Sequence, residues 1–152
     1  MADKSVVILG LESSCDETAA AVVANGREVL ASVVASQVDL HQPFGGVVPE
    51  IAARAHIENI TPVLRRTLAQ ANLGRKDIDA VAVAYCPGLT PALLIAVTAA
   101  KTLAWAWNKP LIGVNHIHSH LQSVMLEHAE EMFPAVALVV SGGHTSLYDC
   151  RS

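Results

Sequence analysis

The dipeptide Asn25-Gly26 stands between two apolar, β-branched runs, and no other local feature constrains the fold as strongly. Asn-Gly marks a two-residue hairpin because both residues tolerate the positive φ such a turn demands. It predicts that the run Thr18 to Ala24 and the run Glu28 to Ser36 are adjacent antiparallel strands. An earlier run, Val6 to Leu11, is separated from Thr18 by the polar segment Glu12-Ser13-Ser14-Cys15-Asp16-Glu17, which reads as a second hairpin tip. The chain therefore opens as three consecutive antiparallel strands.

Beyond Ser36 the pattern changes from period two to helix alternating with strand. His41 to Gly46 reads as a loop, and Pro49 suits the first turn of a helix carrying Ile51, Ala55, Ile57, Ile60, Leu64 and Leu68. Pro62 is expected to break or kink that helix, since proline lacks the N–H and crowds the preceding turn. Asn72-Leu73-Gly74 ends it, Ile78 to Tyr85 is a buried strand, and Pro91 to Trp107 a second helix. Leu111 to Asn115 is a strand, His116 to Glu131 a helix, and Ala135 to Val140 and Thr145 to Cys150 close as strands around Ser141-Gly142-Gly143-His144. The expectation is one α/β domain over residues 1–152, a mixed sheet of order βββαβαβα covered by helices.

Composition excludes several classes. The longest apolar runs, Ala80 to Ala84 and Ala92 to Ala100, are interrupted well short of the ~20 residues a membrane span needs, so no membrane association is expected. The N-terminal residues lack a signal-peptide pattern, and three widely spaced cysteines without a C-x-x-C pair suggest neither disulfides nor a thiolate zinc site. A cytoplasmic protein is expected. The net charge of −4 provides no global field for nucleic acid, which leaves RNA contact to local patches. At 52% hydrophobic and 16% charged residues, the chain is apolar enough to leave some surface for a partner.

Three segments can carry chemistry. His116-Ile117-His118-Ser119-His120 begins a predicted helix, so His116 and His120 share a face and can hold one metal ion, while His118 points about 160° away. A solvated polar helix start is the plainer alternative. A zinc protease of the H-E-x-x-H kind needs Glu after the first His, and Ile117 stands there. Ser141-Gly142-Gly143-His144-Thr145 lets backbone N–H groups approach an anion, although a simple hairpin turn uses the same residues. Glu12 to Thr18 combines hydroxyls with acids that can hold phosphate oxygens or a metal, against the reading of a polar hairpin tip; Cys15 has no obvious base nearby.

Taken together, Leu9-Gly10-Leu11-Glu12-Ser13-Ser14-Cys15-Asp16-Glu17-Thr18 resembles the opening signature of the TsaD/Gcp family. Gly45-Gly46-Val47-Val48-Pro49-Glu50, Ala53-Arg54-Ala55-His56, Pro87-Gly88-Leu89, Val114-Asn115-His116 through His120-Leu121, and Val140-Ser141-Gly142-Gly143-His144-Thr145 follow in the family's order. The resemblance implies a ribonuclease-H-like lobe of the actin-like ATPase (ASKHA) superfamily, the first of two. It also implies transfer of a threonylcarbamoyl group from threonylcarbamoyl-AMP to N6 of the adenosine 3′ of the anticodon, in tRNAs reading ANN codons.

On the matching positions, His116 and His120 become ligands of one divalent ion, iron or zinc, and Val139, Val140, Ser141, Gly142 and Gly143 part of the adenylate site. Asp16 or Glu17 would orient the attacking amine. ATP, ADP or an adenylate would occupy the full-length cleft, and a TsaB-like paralogue and the TsaE ATPase would be partners, with a homodimer through this lobe as a further mode. The family often has Glu where His118 stands and His where Asn115 stands. Its third metal ligand, an Asp, belongs to the second lobe, so this chain alone is expected to be inactive. Two other readings stand beside this one: a zinc-dependent O-sialoglycoprotein endopeptidase, the family's older label, and a non-catalytic assembly lobe.

Overall fold

The computed structural model describes residues 5–126, 133–141 and 145–151. Strands β1 (Val7–Glu12), β2 (Glu17–Ala24) and β3 (Glu28–Ser36) form the expected antiparallel meander, with Asn25 at φ 51° and Gly26 at φ 72° in the turn. A short helix α1 (Val38–His41) and a 3-10 turn, Gln42–Phe44, occupy what the sequence suggested was loop. Helix α2 (Pro49–Ala71), β4 (Ala80–Cys86), α3 (Thr90–Trp107), β5 (Leu111–Asn115) and α4 (His116–Ser123) then alternate. The five strands form one mixed sheet in the order β3-β2-β1-β4-β5, with β1, β4 and β5 parallel.

One residue of strand register separates the two faces of this sheet. Leu9 pairs with Val22 and Val81, Leu11 with Ala20 and Val83, and these side chains are buried beneath α2 and α3. On the helices Ile60, Ala96, Ala100 and Ala104 complete the same core. Alanine at every fourth position of α3 lets that helix lie close to the sheet. The opposite face presents Gly10, Glu12, Ala19, Ala21, Ala82 and Val114, which line a cavity instead of a helix.

Two sequence expectations are corrected. Pro62 neither ends nor divides α2, which runs unbroken from Pro49 to Ala71; Pro62 is exposed, so the carbonyl it leaves without an N–H partner can turn to water. The helix beginning at His116 is regular only to Ser123, where a 3-10 turn, Val124–Leu126, takes over; its remaining predicted residues, 127–131, lie outside those described. Among the described residues, strands β6 (Ala135–Val140) and β7 (Thr145–Cys150) pair with each other alone, as a separate two-stranded sheet. One face of that hairpin, with Val136, Leu138, Val140 and Leu147, is 63–72% exposed. Among the described residues, no helix is long and apolar enough to cross a membrane.

Candidate functional site

Parallel strands place their carboxyl ends along one sheet edge, which is where open α/β sheets build ligand crevices. Here that edge collects Glu12 at the end of β1, Cys86 at the end of β4 and Asn115 at the end of β5. The antiparallel β2 starts from the same edge, bringing Glu17 alongside. Helix α4 leaves β5 directly, so its first residue, His116, stands over Glu12.

Asn115 makes this exit sharp. It is the N-cap of α4, and its side-chain oxygen accepts from the backbone N–H of Ile117 at 2.9 Å and of His118 at 3.2 Å. The helix then sets His116 and His120 on one face, as their spacing predicts: the rings lie 4.5 Å apart, nearly perpendicular, with their Nε2 atoms 3.1 Å apart. His118 is exposed and makes no side-chain bond with the pair.

His116 is held from below. Its Nδ1 is 3.2 Å from a carboxylate oxygen of Glu12 and 3.2 Å from the Ser14 hydroxyl. The other Glu12 oxygen accepts from the backbone N–H of Ser14. Burial alone would raise the Glu12 carboxyl, but the hydrogen bonds from His116 and Ser14 outweigh it and keep Glu12 below the usual carboxylate range. The same contact lifts His116 above the ordinary histidine value, against the opposing effect of its partial burial.

The loop that carries Ser14 is itself clamped. Ser13 donates its hydroxyl to the carbonyl of Ala92 at 2.7 Å and accepts from the N–H of Ala96, while Leu89 N–H donates to the Ser14 carbonyl at 2.7 Å. Gly88 fits beneath it with no room to spare: a Cβ there would lie 2.6 Å from the Ser14 oxygen. From the other side, the fully buried His56 ring donates through Nε2 to the Cys15 carbonyl at 3.1 Å and accepts the Thr18 hydroxyl at Nδ1 at 2.7 Å. Burial, with Asp16 alongside, pushes the Cys15 thiol up to about 11, so it is not poised as a nucleophile near neutral pH.

A cavity of about 530 Å³ opens over this edge and over the uncovered sheet face. Glu12, Ser14, Asp16, Glu17, His116, His120 and Ser141 line it. Asp16, Glu17 and Ser141 thus share one cavity with the histidine pair. Val139 and Val140 line a neighbouring cavity between α4 and β6 that His120 and Ser141 also border. Gly142 and Gly143 lie outside the described residues.

The donor set fits a divalent ion in part. Two imidazole Nε2 atoms facing each other across 3.1 Å are borderline donors suited to iron, zinc or nickel, and a carboxylate behind one ring is the support such ligands take. Among the described residues, no cluster of three or more His, Cys, Asp or Glu side chains is arranged to hold an ion. Sequence reasoning includes Glu12 in a candidate acidic loop but does not pair it with His116. Its position at a strand end next to a hydroxyl loop is visible, but the strand crossovers that bring His116 to it are not.

Comparison with known proteins identifies the family and the fold. Residues 28–152 match the family model "TsaD: tRNA N6-adenosine threonylcarbamoyltransferase". The protein of that name from Syntrophomonas wolfei is 59% identical over 141 residues, which cover 93% of this chain and 42% of the relative; the chain spans less than half the length of the curated relatives it matches. Among solved structures, YeaZ from Pseudomonas aeruginosa superposes with a TM-score of 0.59 at 18% identity, over 94% of this chain and 64% of YeaZ. RuvC from T. thermophilus, solved with a Holliday junction substrate, superposes with a TM-score of 0.50 at 16% identity, over 86% of this chain and 84% of RuvC. At such identities these two bear on the fold alone, and they bear out the ribonuclease-H-like arrangement.

Proposed function

Because the chain belongs to the TsaD, tRNA N6-adenosine threonylcarbamoyltransferase, family, we propose that it provides the ion-holding half of a cleft for threonylcarbamoyl transfer to tRNA. The observation that carries this reading is the convergence of His116 Nε2 and His120 Nε2, 3.1 Å apart, on a cavity that Asp16, Glu17 and Ser141 also line.

In the reaction, the N6 amine of the adenosine attacks the carbamoyl carbon of threonylcarbamoyl-AMP, a C–N bond forms, the bond to the phosphate oxygen breaks, and AMP leaves. A divalent ion, iron or zinc, held by His116 and His120 would supply Lewis acidity to the acyl donor. Asp16 and Glu17, on the cavity wall, orient the amine and take up its proton. Ser141, with the strand end at Val139 and Val140 and the adjoining Gly142-Gly143, holds the adenylate phosphate. The remaining ligand and most of the nucleotide pocket would come from a second lobe, and the exposed apolar face of β6 and β7 is a natural place for it to continue the fold. On the helical side Ile57, Leu94 and Trp105 are exposed, and we assign a paralogous lobe of the TsaB type, or a second copy, to cover them, with the TsaE ATPase joining the assembly.

An endopeptidase reading is weaker, since Ile117 occupies the position of the required general base. Elemental analysis and calorimetric titration of the chain against a His116→Ala/His120→Ala variant test the proposal. Stoichiometric ion in the parent and none in the variant is the expected result; ion-free protein in both means that His116 and His120 do not hold an ion without the second lobe's ligand.

A further inference from the structure

We infer that Glu12 is a positioning residue for the ion site: its carboxylate holds His116 as the Nδ1–H tautomer, so that the Nε2 lone pair faces His120. The inference rests on the reading of His116 and His120 as ligands, and it adds to that reading a residue on a different strand, 104 positions away in sequence.

A carboxylate can only accept, so the ring nitrogen 3.2 Å from Glu12 must be the one bearing hydrogen. In a neutral imidazole the other nitrogen then has a free lone pair. That nitrogen, His116 Nε2, is the atom facing His120 Nε2 at 3.1 Å. Isolated imidazoles favour neither outcome strongly enough to keep the site ready, and a ring that flipped its proton to Nε2 would present N–H to the ion. Glu12 is itself fixed, because its second oxygen accepts from the Ser14 N–H, and the Ser13-Ser14 turn is pinned by Ala92, Ala96 and Leu89. The ring edge also meets the Ser14 hydroxyl, 3.2 Å from Nδ1 and 3.4 Å from Nε2. A hydroxyl can donate or accept and so does not choose a tautomer. The choice falls to Glu12.

His120 has no such support among the described contacts: its one side-chain bond is to His116. The site is therefore asymmetric, with one ligand oriented in advance and the other free to adjust on a more exposed ring. Carboxylate support behind a ligating histidine typically changes metal affinity by ~10–100-fold.

The test uses Glu12→Ala, Glu12→Asp and Glu12→Gln in the chain as it stands, titrated with Zn(II) and Co(II), with imidazole 15N shifts recorded on ion-free protein at alkaline pH. Ala and Asp should weaken ion binding by ~10–100-fold, Asp because the shortened side chain keeps its charge but no longer reaches Nδ1. Gln keeps both length and an acceptor oxygen and should restore affinity to within about threefold. The His116 ring should show Nδ1–H in the parent and in Gln, and Nε2–H in Ala and Asp. Asp is the safer variant for folding, and unchanged His56 shifts report an intact loop. Parent-like affinity in both Ala and Asp, or an Nδ1–H ring in both, overturns the inference. If the parent binds no ion but Ala and Asp still switch the tautomer, Glu12 keeps its positioning role and only the metal reading fails.

Discussion

Two histidine clusters hang from the same loop between β1 and β2, and they treat their ring nitrogens differently. At His56 both nitrogens are spent inside the protein, on the Cys15 carbonyl and the Thr18 hydroxyl. Its neighbour Gln37 bonds His56 Nδ1, the Ala52 carbonyl and His41 Nε2, and His41 Nδ1 accepts from the Val48 N–H. Every group in that buried knot has a partner, and among the described residues no buried side-chain polar atom lacks one. At His116 one nitrogen is spent on Glu12 while the other faces a second imidazole at the rim of a cavity. A histidine whose two nitrogens both bond buried groups is structural; one whose second nitrogen meets another imidazole at the rim of a cavity can exchange that contact for a ligand.

Breaking the buried side of this contrast should have the largest effect on stability. His56→Ala leaves the Thr18 hydroxyl, the Gln37 amide and the Cys15 carbonyl without their partner and opens a void, so urea unfolding should show a loss of about 3 kcal/mol. His120→Ala, by contrast, should change stability by less than about 0.5 kcal/mol while removing ion binding. A His120→Ala loss as large as that of His56→Ala would erase the distinction.

Gly88→Ala attacks the loop that joins the two clusters. Its Cβ would meet the Ser14 oxygen at 2.6 Å and the Ser14 Cβ at 2.8 Å, and both contacts are with a pinned turn. A loss of about 2 kcal/mol is expected in thermal or chemical unfolding, together with weaker ion binding as Ser14 and Glu12 shift. Asn115→Ala removes the α4 cap and should lower stability by about 1 kcal/mol, with His116 and His120 held less firmly at the helix start.

The gentlest probe is pH. Burial depresses the His56 pKa, so the unfolded chain takes up the proton first. The stability this group contributes is present in full above the ordinary histidine value of about 6.5 and is lost as pH falls from there through the depressed folded value. Stability measured across that window should therefore fall more steeply on acidification in the parent than in His56→Gln. Equal slopes would mean that His56 is not kept neutral by the fold.

Local sequence signals account for much of the fold. Strands β3, β5, β6 and β7 lie where alternation and turn residues place them, and the Asn25-Gly26 hairpin fixes the pairing of β2 with β3. The break expected at Pro62 does not occur because the carbonyl it orphans, that of Glu58, lies on an exposed turn, and periodicity does not report that exposure. Within the site, His116 and His120 can be paired from spacing alone, since a four-residue step returns to the same helix face. Asp16, Glu17 and Ser141 stand out individually as polar residues in loops, but no local pattern reveals that they share one cavity with the pair.

The local elements follow from the sequence alone, because hydrophobic period, turn chemistry and helix geometry act over a few residues. The histidine pair follows for the same reason. The parallel run of β1, β4 and β5, which ends Glu12 and His116, 104 residues apart, at one edge within 3.2 Å, emerges at the level of the assembled sheet. That contact depends on strand order and on helices packing against one face of the sheet, both products of the whole core, and it is what turns two adjacent histidines into an oriented pair.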